Sequence, residues 1–293
     1  MGEPSTSGFV VDSFEGVNDR FTSLEVRGTH GHNVLARAKR FGRWYLLKGL
    51  APEEARQSVY HEMLVKEFDI MMRLQHSGVV QAVSLEDVPQ MGKCIVMEWV
   101  EGVTLREWLA GSPPRADRQQ VAQQLMDALS HIRQHGVVHR DIKPSNIMVT
   151  TNGHNVKIID FGLADTDAHA LLKQPGGTAS YMAPEQAIYS APDVRNDIYS
   201  LGLVLDELKL GRLYKRSTAR CLLPIGKRYQ SVEELQNDIK RRSRRRRAAT
   251  IVGAIALTAG LSAGVAAMIA RVQPADGQAN ALLVDSLKHR LEN

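Results

Sequence analysis

The sequence predicts an α+β chain whose β-rich N-terminal part gives way to a mainly helical body and one C-terminal transmembrane helix. Three observations carry this. Residues 21–50 alternate short apolar stretches with Gly28, Gly31 and Gly42, the punctuation of an antiparallel hairpin or meander. Apolar residues recur at helical spacing in 58–74, 118–135 and 197–208. The twenty-three residues from Ala248 to Ala270 carry no charge, and at about 1.5 Å each they are long enough to cross a bilayer core of about 30 Å.

Composition sets the broad class. With 293 residues, 43% hydrophobic and 24% charged, the chain can bury a large core and is not disordered throughout. Its two cysteines, Cys94 and Cys221, have no CxxC spacing, so they indicate neither a zinc site nor a disulfide framework and suit a reducing cytosol. Cys94 opens the run Cys94-Ile95-Val96-Met97 and is expected to be a small buried hydrophobe. The net charge of +5 is local: the block from Lys240 to Arg247 holds seven cations and leaves the remainder mildly acidic.

In chain order, residues 1–20 are expected to be a flexible leader, rich in Gly, Ser, Thr and Pro at its start, with structure beginning near Phe21. Arg43-Trp44-Tyr45-Leu46-Leu47-Lys48 is a strand by its aromatic and aliphatic content. Ser58 to Leu74 is a helix burying Leu64, Phe68, Met71, Met72 and Leu74. Val83 to Val100 gives two strands about the turn Pro89-Gln90-Met91-Gly92. Thr104–Ala110 and Arg118–His135 are helices, the second with Val121, Leu125, Ala128, Leu129 and Ile132 on one side. A helix beginning at Asp197 runs to Leu208. The last soluble helix, Val232 to Arg242, has Ser231 as its N-cap and Glu234 in the capping-box position.

Chemistry concentrates in Val138-His139-Arg140-Asp141-Ile142-Lys143-Pro144-Ser145-Asn146-Ile147-Met148 and in Val156-Lys157-Ile158-Ile159-Asp160-Phe161-Gly162. Phosphoryl transfer needs a carboxylate near the attacking hydroxyl, a cation on the transferring phosphate and oxygen ligands for Mg²⁺. Asp141 can accept or orient the hydroxyl proton, Lys143 can neutralise the γ-phosphate, and Asn146 and Asp160 provide hard oxygens. HRDxKPxN followed fourteen residues later by DFG resembles the catalytic and metal-binding loops of protein kinases, and Lys143-Pro144 resembles the serine/threonine branch. Ala183-Pro184-Glu185, twenty-three residues after Asp160, closes what resembles an activation segment.

That resemblance covers roughly residues 20–242 and implies a two-lobed fold: a small β-rich lobe over about 21–97, a hinge at 98–102 and a large helical lobe over 103–242. It implies ATP with Mg²⁺, for which Mn²⁺ could substitute, and protein substrates. By resemblance Lys48 contacts the α- and β-phosphates, Glu67 rather than Glu62 is its carboxylate partner, and Gly28 and Gly31 stand in the glycine-rich loop. That loop departs from the family pattern, with Val26 at the first glycine and Asn33 at the usual valine. Met97 would line the adenine pocket, and the backbone of Glu98 and Val100 would bond the adenine edge. Asp197 would brace the His139-Arg140 turn, Arg228 would pair with Glu185, and Thr178 would contact Asp141. Arg140 before Asp141 often accompanies control by a phosphate, yet the usual acceptor position is Gln174; Thr166 and Ser180 are the other candidates, and switching at position 174 is expected to be absent. Only thirty-one residues separate Asp197 from Arg228, so the large lobe is expected to be abbreviated.

Seven cations before the uncharged stretch and only Arg271 just after it place the N-terminal side in the cytoplasm by the positive-inside rule. The expected organisation is a basic juxtamembrane segment 243–247, a transmembrane helix 248–270 and a short external tail 271–293, in which Leu283, Leu287 and Leu291 form a small stripe. Met1 to Arg20 has no apolar core, so the span is expected to direct insertion into a bacterial cytoplasmic membrane. Anionic membrane lipid, rather than nucleic acid, is the expected partner of the arginine block. Ala256, Gly260 and Gly264 at four-residue spacing would permit a homodimer through the span. The competing functional reading is a weak or inactive kinase-fold scaffold at the membrane.

Overall fold

In this computed structural model, residues 13–18, 21–164, 179–187, 191–272 and 276–291 are described. The chain divides into two units, Met1–Ile239 and Lys240–Asn293. The boundary falls three residues before the expected one because Ile239, 6% exposed, is the last side chain packed into the core.

The first unit opens with a six-stranded antiparallel sheet in the order β1-β2-β3-β4-β6-β5. Its strands are β1 (Ser13–Asn18), β2 (Phe21–His30), β3 (Asn33–Arg40), β4 (Arg43–Leu50), β5 (Ala82–Val88) and β6 (Gly92–Glu98). Strand β1 corrects the expected start near Phe21. Phe14 pairs opposite Leu24, so six residues of the supposed leader join the sheet, while its Gly, Ser and Pro are concentrated before them. Alternation sorts the sides of the sheet: Phe21, Leu24, Ala36, Ala38, Leu47, Cys94 and Val96 form one small core. The other side packs on α1 (Ser58–Arg73) through Leu64, Ile70 and Met71. Met72, expected inside, is 45% exposed, and Ile70 takes that place because it lies a turn from Leu74 on the buried face.

From Glu98 the chain crosses three residues to β7 (Gly102–Thr104), which pairs with β8 (Ile147–Thr150), itself paired with β9 (Val156–Ile158). Gly102 is required there, because a Cβ would stand 2.3 Å from the Val149 carbonyl oxygen. Thr104 caps α2 (Leu105–Ala110) in a reciprocal capping box with Glu107. The apolar stripe of α3 (Arg115–Gln134) is buried as its spacing predicts, with Val121, Leu125, Ala128, Leu129 and Ile132 in the main core.

Helix α4 (Val194–Glu207) begins a turn before the expected Asp197, because the Asp193 carboxylate accepts from the Arg195 N–H and caps it. Only Leu208–Gly211 separates α4 from α5 (Arg212–Cys221). Arg115 donates to the Leu210 carbonyl at 2.7 Å and Arg118 to that of Leu208 at 3.1 Å, tying this short connection to α3. Among the described residues, α5 is the one α-helix between α4 and Arg228, so the interval is as compact as its length implies. Helix α6 (Val232–Val272) starts with Ser231 accepting from the Glu234 N–H at 3.2 Å; Glu234 reaches back to the Gln230 N–H rather than completing the box on Ser231.

In the second unit, α6 contains the whole uncharged stretch and is long and apolar enough to cross a membrane. Ile251, Val252, Ile255, Leu257, Leu261 and Val265 along it are all more than half exposed. The tail expected after it contains α7 (Asp276–Leu291). The Leu283 side chain lies outside the described residues, while Leu287 and Leu291 are exposed.

Candidate active site

Two loops, strand β4 and helix α1 bring the predicted charges together. Lys48, on β4, is 5% exposed and donates to Glu67 Oε1 and to Asp160 Oδ1, both at 2.7 Å. Burial opposes its charge, but the carboxylates of Asp160 and Glu67 more than offset this and hold the ammonium above lysine's ordinary value. Burial lifts the Glu67 carboxyl in spite of Lys48. Burial also pushes against the charge of Asp160, and Lys48 outweighs it, so Asp160 stays far below the ordinary carboxylate range. Glu67 accepts a second contact, from the Phe161 N–H at 3.1 Å, and so joins α1 to the Asp160-Phe161-Gly162 turn. Glu62 lies elsewhere on α1 and has no such bond.

The Asp141 carboxylate is gripped from two sides. Lys143 Nζ lies 2.8 Å from its Oδ2, and Asn146 Nδ2 donates to the same oxygen at 2.8 Å and to the Asp141 carbonyl at 3.0 Å. The loop beneath it is held by Asp197, which accepts from the His139 N–H at 2.8 Å and the Arg140 N–H at 2.7 Å. Arg140 sits at φ 67°, a left-handed conformation that a non-glycine residue adopts only when its surroundings enforce it. Asp160 shares that φ of 67°. Gln186, a residue the sequence reading did not single out, supplies another tie: it is 3% exposed and donates to the Arg140 carbonyl at 2.9 Å. A Gln after Ala-Pro-Glu gives no signal by itself.

His139 is fully buried, and burial pushes its imidazole pKa down, so the ring is neutral in the fold. In the unfolded chain it takes up a proton below about pH 6.5. The unfolded state then binds more protons, and stability falls as pH drops through that value. Urea unfolding of the chain in detergent should show this slope, and His139→Gln should flatten it. An unchanged slope in the variant would exclude His139 as its source.

The remaining predicted residues fall around this centre. Gly28 pairs with Leu35, which pairs with Lys48, so the β2–β3 hairpin lies two strands from the lysine in the same row. Gly28 and Gly31 adopt φ 129° and 58°, and the register shift between Val26 and Gly28 leaves Arg27 as a bulge. Met97 is 4% exposed beside the core, and Val100 packs against that core from the hinge. The Glu98 side chain, which the sequence reading left unused, pairs with Lys157 at 2.5 Å and accepts from the Gln81 N–H at 2.9 Å. Arg228 pairs with Glu185 at 2.5 Å. Ser180 is described and exposed; Thr166, Gln174 and Thr178 lie outside the described residues.

The donor set fits a nucleotide-bound Mg²⁺. Asn146 commits its amide N–H groups to Asp141, which leaves its oxygen for a cation, and the Asp160 side chain is 40% exposed despite its pairing. Among the described residues no three His, Cys, Asp or Glu form a metal cluster, and Mg²⁺ characteristically takes one or two protein oxygens and completes its shell with phosphates and water.

Comparison with known proteins agrees with this geometry. Residues 27–250 match the protein kinase domain family. The serine/threonine-protein kinase PknB of Mycolicibacterium smegmatis is 35% identical over 207 residues, 67% of this chain and 33% of that protein. PrkC of Bacillus subtilis, also a serine/threonine-protein kinase, is 32% identical over 204 residues, 67% of this chain and 31% of that protein. This chain therefore spans about a third of the length of these relatives. The crystal structure of the Mycobacterium tuberculosis PknI kinase domain superposes with a TM-score of 0.59 at 19% identity, covering 82% of this chain and 100% of that one. The match over most of its length, together with the two-lobed fold, establishes that the chain belongs to the protein kinase family, beside the bacterial serine/threonine kinases.

Proposed function

We propose that the chain is a serine/threonine protein kinase that transfers the ATP γ-phosphate to protein hydroxyls at the cytoplasmic face of a bacterial membrane. The observation that carries this is the convergence of Lys48, Glu67 and Asp160 in one ion cluster with Asp141, Lys143 and Asn146 in another, all joined through buried loops. Lys48, fixed by Glu67, orients the nucleotide phosphates. Asn146 and Asp160 hold Mg²⁺, which supplies charge neutralisation on the phosphates when bound. Asp141 orients the acceptor hydroxyl and takes its proton as the new oxygen–phosphorus bond forms and the bond to the ADP oxygen breaks. Lys143 offsets the charge on the transferring group. Positioning and fixed charges do the work, as phosphoryl transfer requires.

Gly28 and Gly31 let backbone N–H groups approach the phosphates, and the hinge backbone at Glu98 and Val100 with the Met97 side chain receives adenine. Helix α6 spans the membrane, the arginine block lies on its cytoplasmic side against anionic lipid, and the small residues Ala256, Gly260 and Gly264 admit a second copy of the span. Lys48→Met keeps the length of the side chain and removes its charge. It should lower kcat/KM for ATP by roughly a hundredfold, a loss of about 2.7 kcal/mol of transition-state stabilisation. A change under threefold would remove Lys48 from the site.

The function is tested by incubating the full chain, reconstituted in vesicles, with γ-labelled ATP, Mg²⁺ and a generic basic protein. Transfer to serine or threonine is expected. Nucleotide binding without transfer, to itself or to the added protein, would favour the scaffold.

A further inference from the structure

The small lobe carries a stack of two indole rings and a guanidinium that the proposed chemistry does not use. Arg37 on β3 lies opposite Leu46 on β4, and Leu46 lies opposite Met97 on β6, so the three side chains stand in one row across the sheet. The next row, two residues along, is Leu35, Lys48 and Ile95. Arg37 therefore rises from the side of the sheet that carries Lys48. There its guanidinium lies 3.6 Å over the Trp44 ring and 4.8 Å over the Trp99 ring, joining a strand residue to a residue of the hinge.

The stack holds what the strand ladder does not. Glu98 ends β6, where it pairs opposite Tyr45 and its N–H donates to the Gln81 carbonyl at 2.9 Å. Trp99, Val100 and Glu101 lie between that end and the start of β7 at Gly102. Trp99 is thus the first residue beyond the ladder, and it stands between Glu98 and Val100, the two whose backbone receives adenine in the function proposed above. Its indole is fixed twice: Nε1 donates to Glu101 at 3.2 Å within the hinge, and the ring meets Arg37 on the sheet, with Arg27 at 5.7 Å. Arg37 in turn has its Nε buried without a hydrogen-bond partner among the described residues, while Glu25, opposite it on β2, pairs with Arg27 at 3.8 Å. Ring faces attract a cation more strongly as water is excluded, and a planar guanidinium can stack on them where an ammonium cannot.

We propose that the stack of Trp44, Arg37 and Trp99 is a positioning device for nucleotide recognition, which clamps the hinge to the sheet and so sets where the Glu98 and Val100 backbone meets adenine. The inference rests on the kinase reading given above. Arg37 acts through Trp99 and touches no reacting group, so its loss weakens the bound ground state and the transition state alike. The signature is a raised KM at an unchanged kcat. A stack that only stabilised the sheet would instead lower the Tm and leave KM where it was.

The test is steady-state transfer by the full chain in detergent, with a fluorescent-ATP titration and a thermal melt of the same preparations. Arg37→Met keeps an unbranched side chain and removes the charge. It should raise KM for ATP and the nucleotide Kd about tenfold, or about 1.4 kcal/mol, with kcat within twofold. Trp99→Leu should do the same, and the two together should do no more than either alone, because both remove one contact. Arg37→Lys keeps a cation over the rings without the planar stack and should fall between, at about threefold. Trp99→Phe, which retains a ring for Arg37 and stands in if the leucine variant does not fold, should stay within threefold of the parent. Unchanged KM in Arg37→Met, with or without a lowered Tm, would overturn the proposal. A hundredfold rise in the double variant would also overturn it, by giving Arg37 its own contact with the nucleotide, and a tenfold rise in Trp99→Phe would assign the effect to the indole bond to Glu101. Where the parent binds ATP without transfer, the Kd values decide in the same way. A parent that neither binds nor transfers would defeat the kinase reading itself, whereas an active parent with unmoved variants defeats only this inference.

Discussion

Asp141→Asn should reduce phosphate transfer about a thousandfold, within the range attributed to a positioned general base. The amide keeps the shape of the carboxylate but loses its charge and its capacity to take a proton. It also presents N–H groups where Lys143 and Asn146 both donate to Oδ2. In the proposed site Lys48, Glu67 and Asp160 form their own ion cluster, and Asp141 reaches the metal side only through Asn146, so the affinity for ATP should change less than threefold. The measurement is single-turnover transfer from γ-labelled ATP beside a fluorescent-nucleotide titration of the same variant. A residual rate within tenfold of the parent would show that Asp141 is not the residue that handles the hydroxyl. Loss of affinity together with rate would mean that the substitution had disturbed the whole site.

The site was more legible in the sequence than its supports were. Asp141, Lys143, Asn146 and Asp160 lie within twenty residues, and their residue types together with the resemblance of their motifs to the protein kinase loops implied that they converge. Lys48 and Glu67 could be paired through the resemblance to the protein kinases, and the 2.7 Å contact agrees with it. Gln186 and the side chain of Glu98 could not, because a buried amide and a half-buried carboxylate are chosen by whichever backbone or cation folding brings near. Strand β1 was missed for a related reason. Its six residues, Ser13–Asn18, are too few and too polar to declare a strand until β2 offers an edge. The start of α4 moved by one turn because Asp193, four residues before the expected start at Asp197, caps it. Periodicity locates the buried face of a helix, and capping decides where it ends.

Glu185→Ala should destabilise the catalytic domain by about 3–5 kcal/mol, more than any exposed charge in the chain could. Its partner Arg228 has a side chain only 1% exposed, with Nη1 2.5 Å and Nη2 3.3 Å from the carboxylate oxygens. The guanidinium also donates to the Leu223 carbonyl at 3.1 Å and the Arg195 carbonyl at 2.7 Å, and it lies 4.9 Å over the Tyr199 ring. The two carbonyls take two of its N–H groups and leave its charge unopposed. Removing Glu185 alone therefore strands a cation in a dry site, whereas replacing both partners by apolar residues removes that penalty. The unfolding midpoint of Glu185→Ala in detergent should fall by roughly 10 °C, and Glu185→Leu with Arg228→Met should recover much of it. Two equal losses would instead assign the stability to the carbonyl and ring contacts of Arg228. The distinction bears on function because Glu185 follows the activation segment and Arg195 opens α4, the helix whose Asp197 holds the His139-Arg140 turn. A loosened Glu185–Arg228 pair should thus lower the transfer rate as well as the midpoint, while a stranded charge without that coupling should lower only the midpoint.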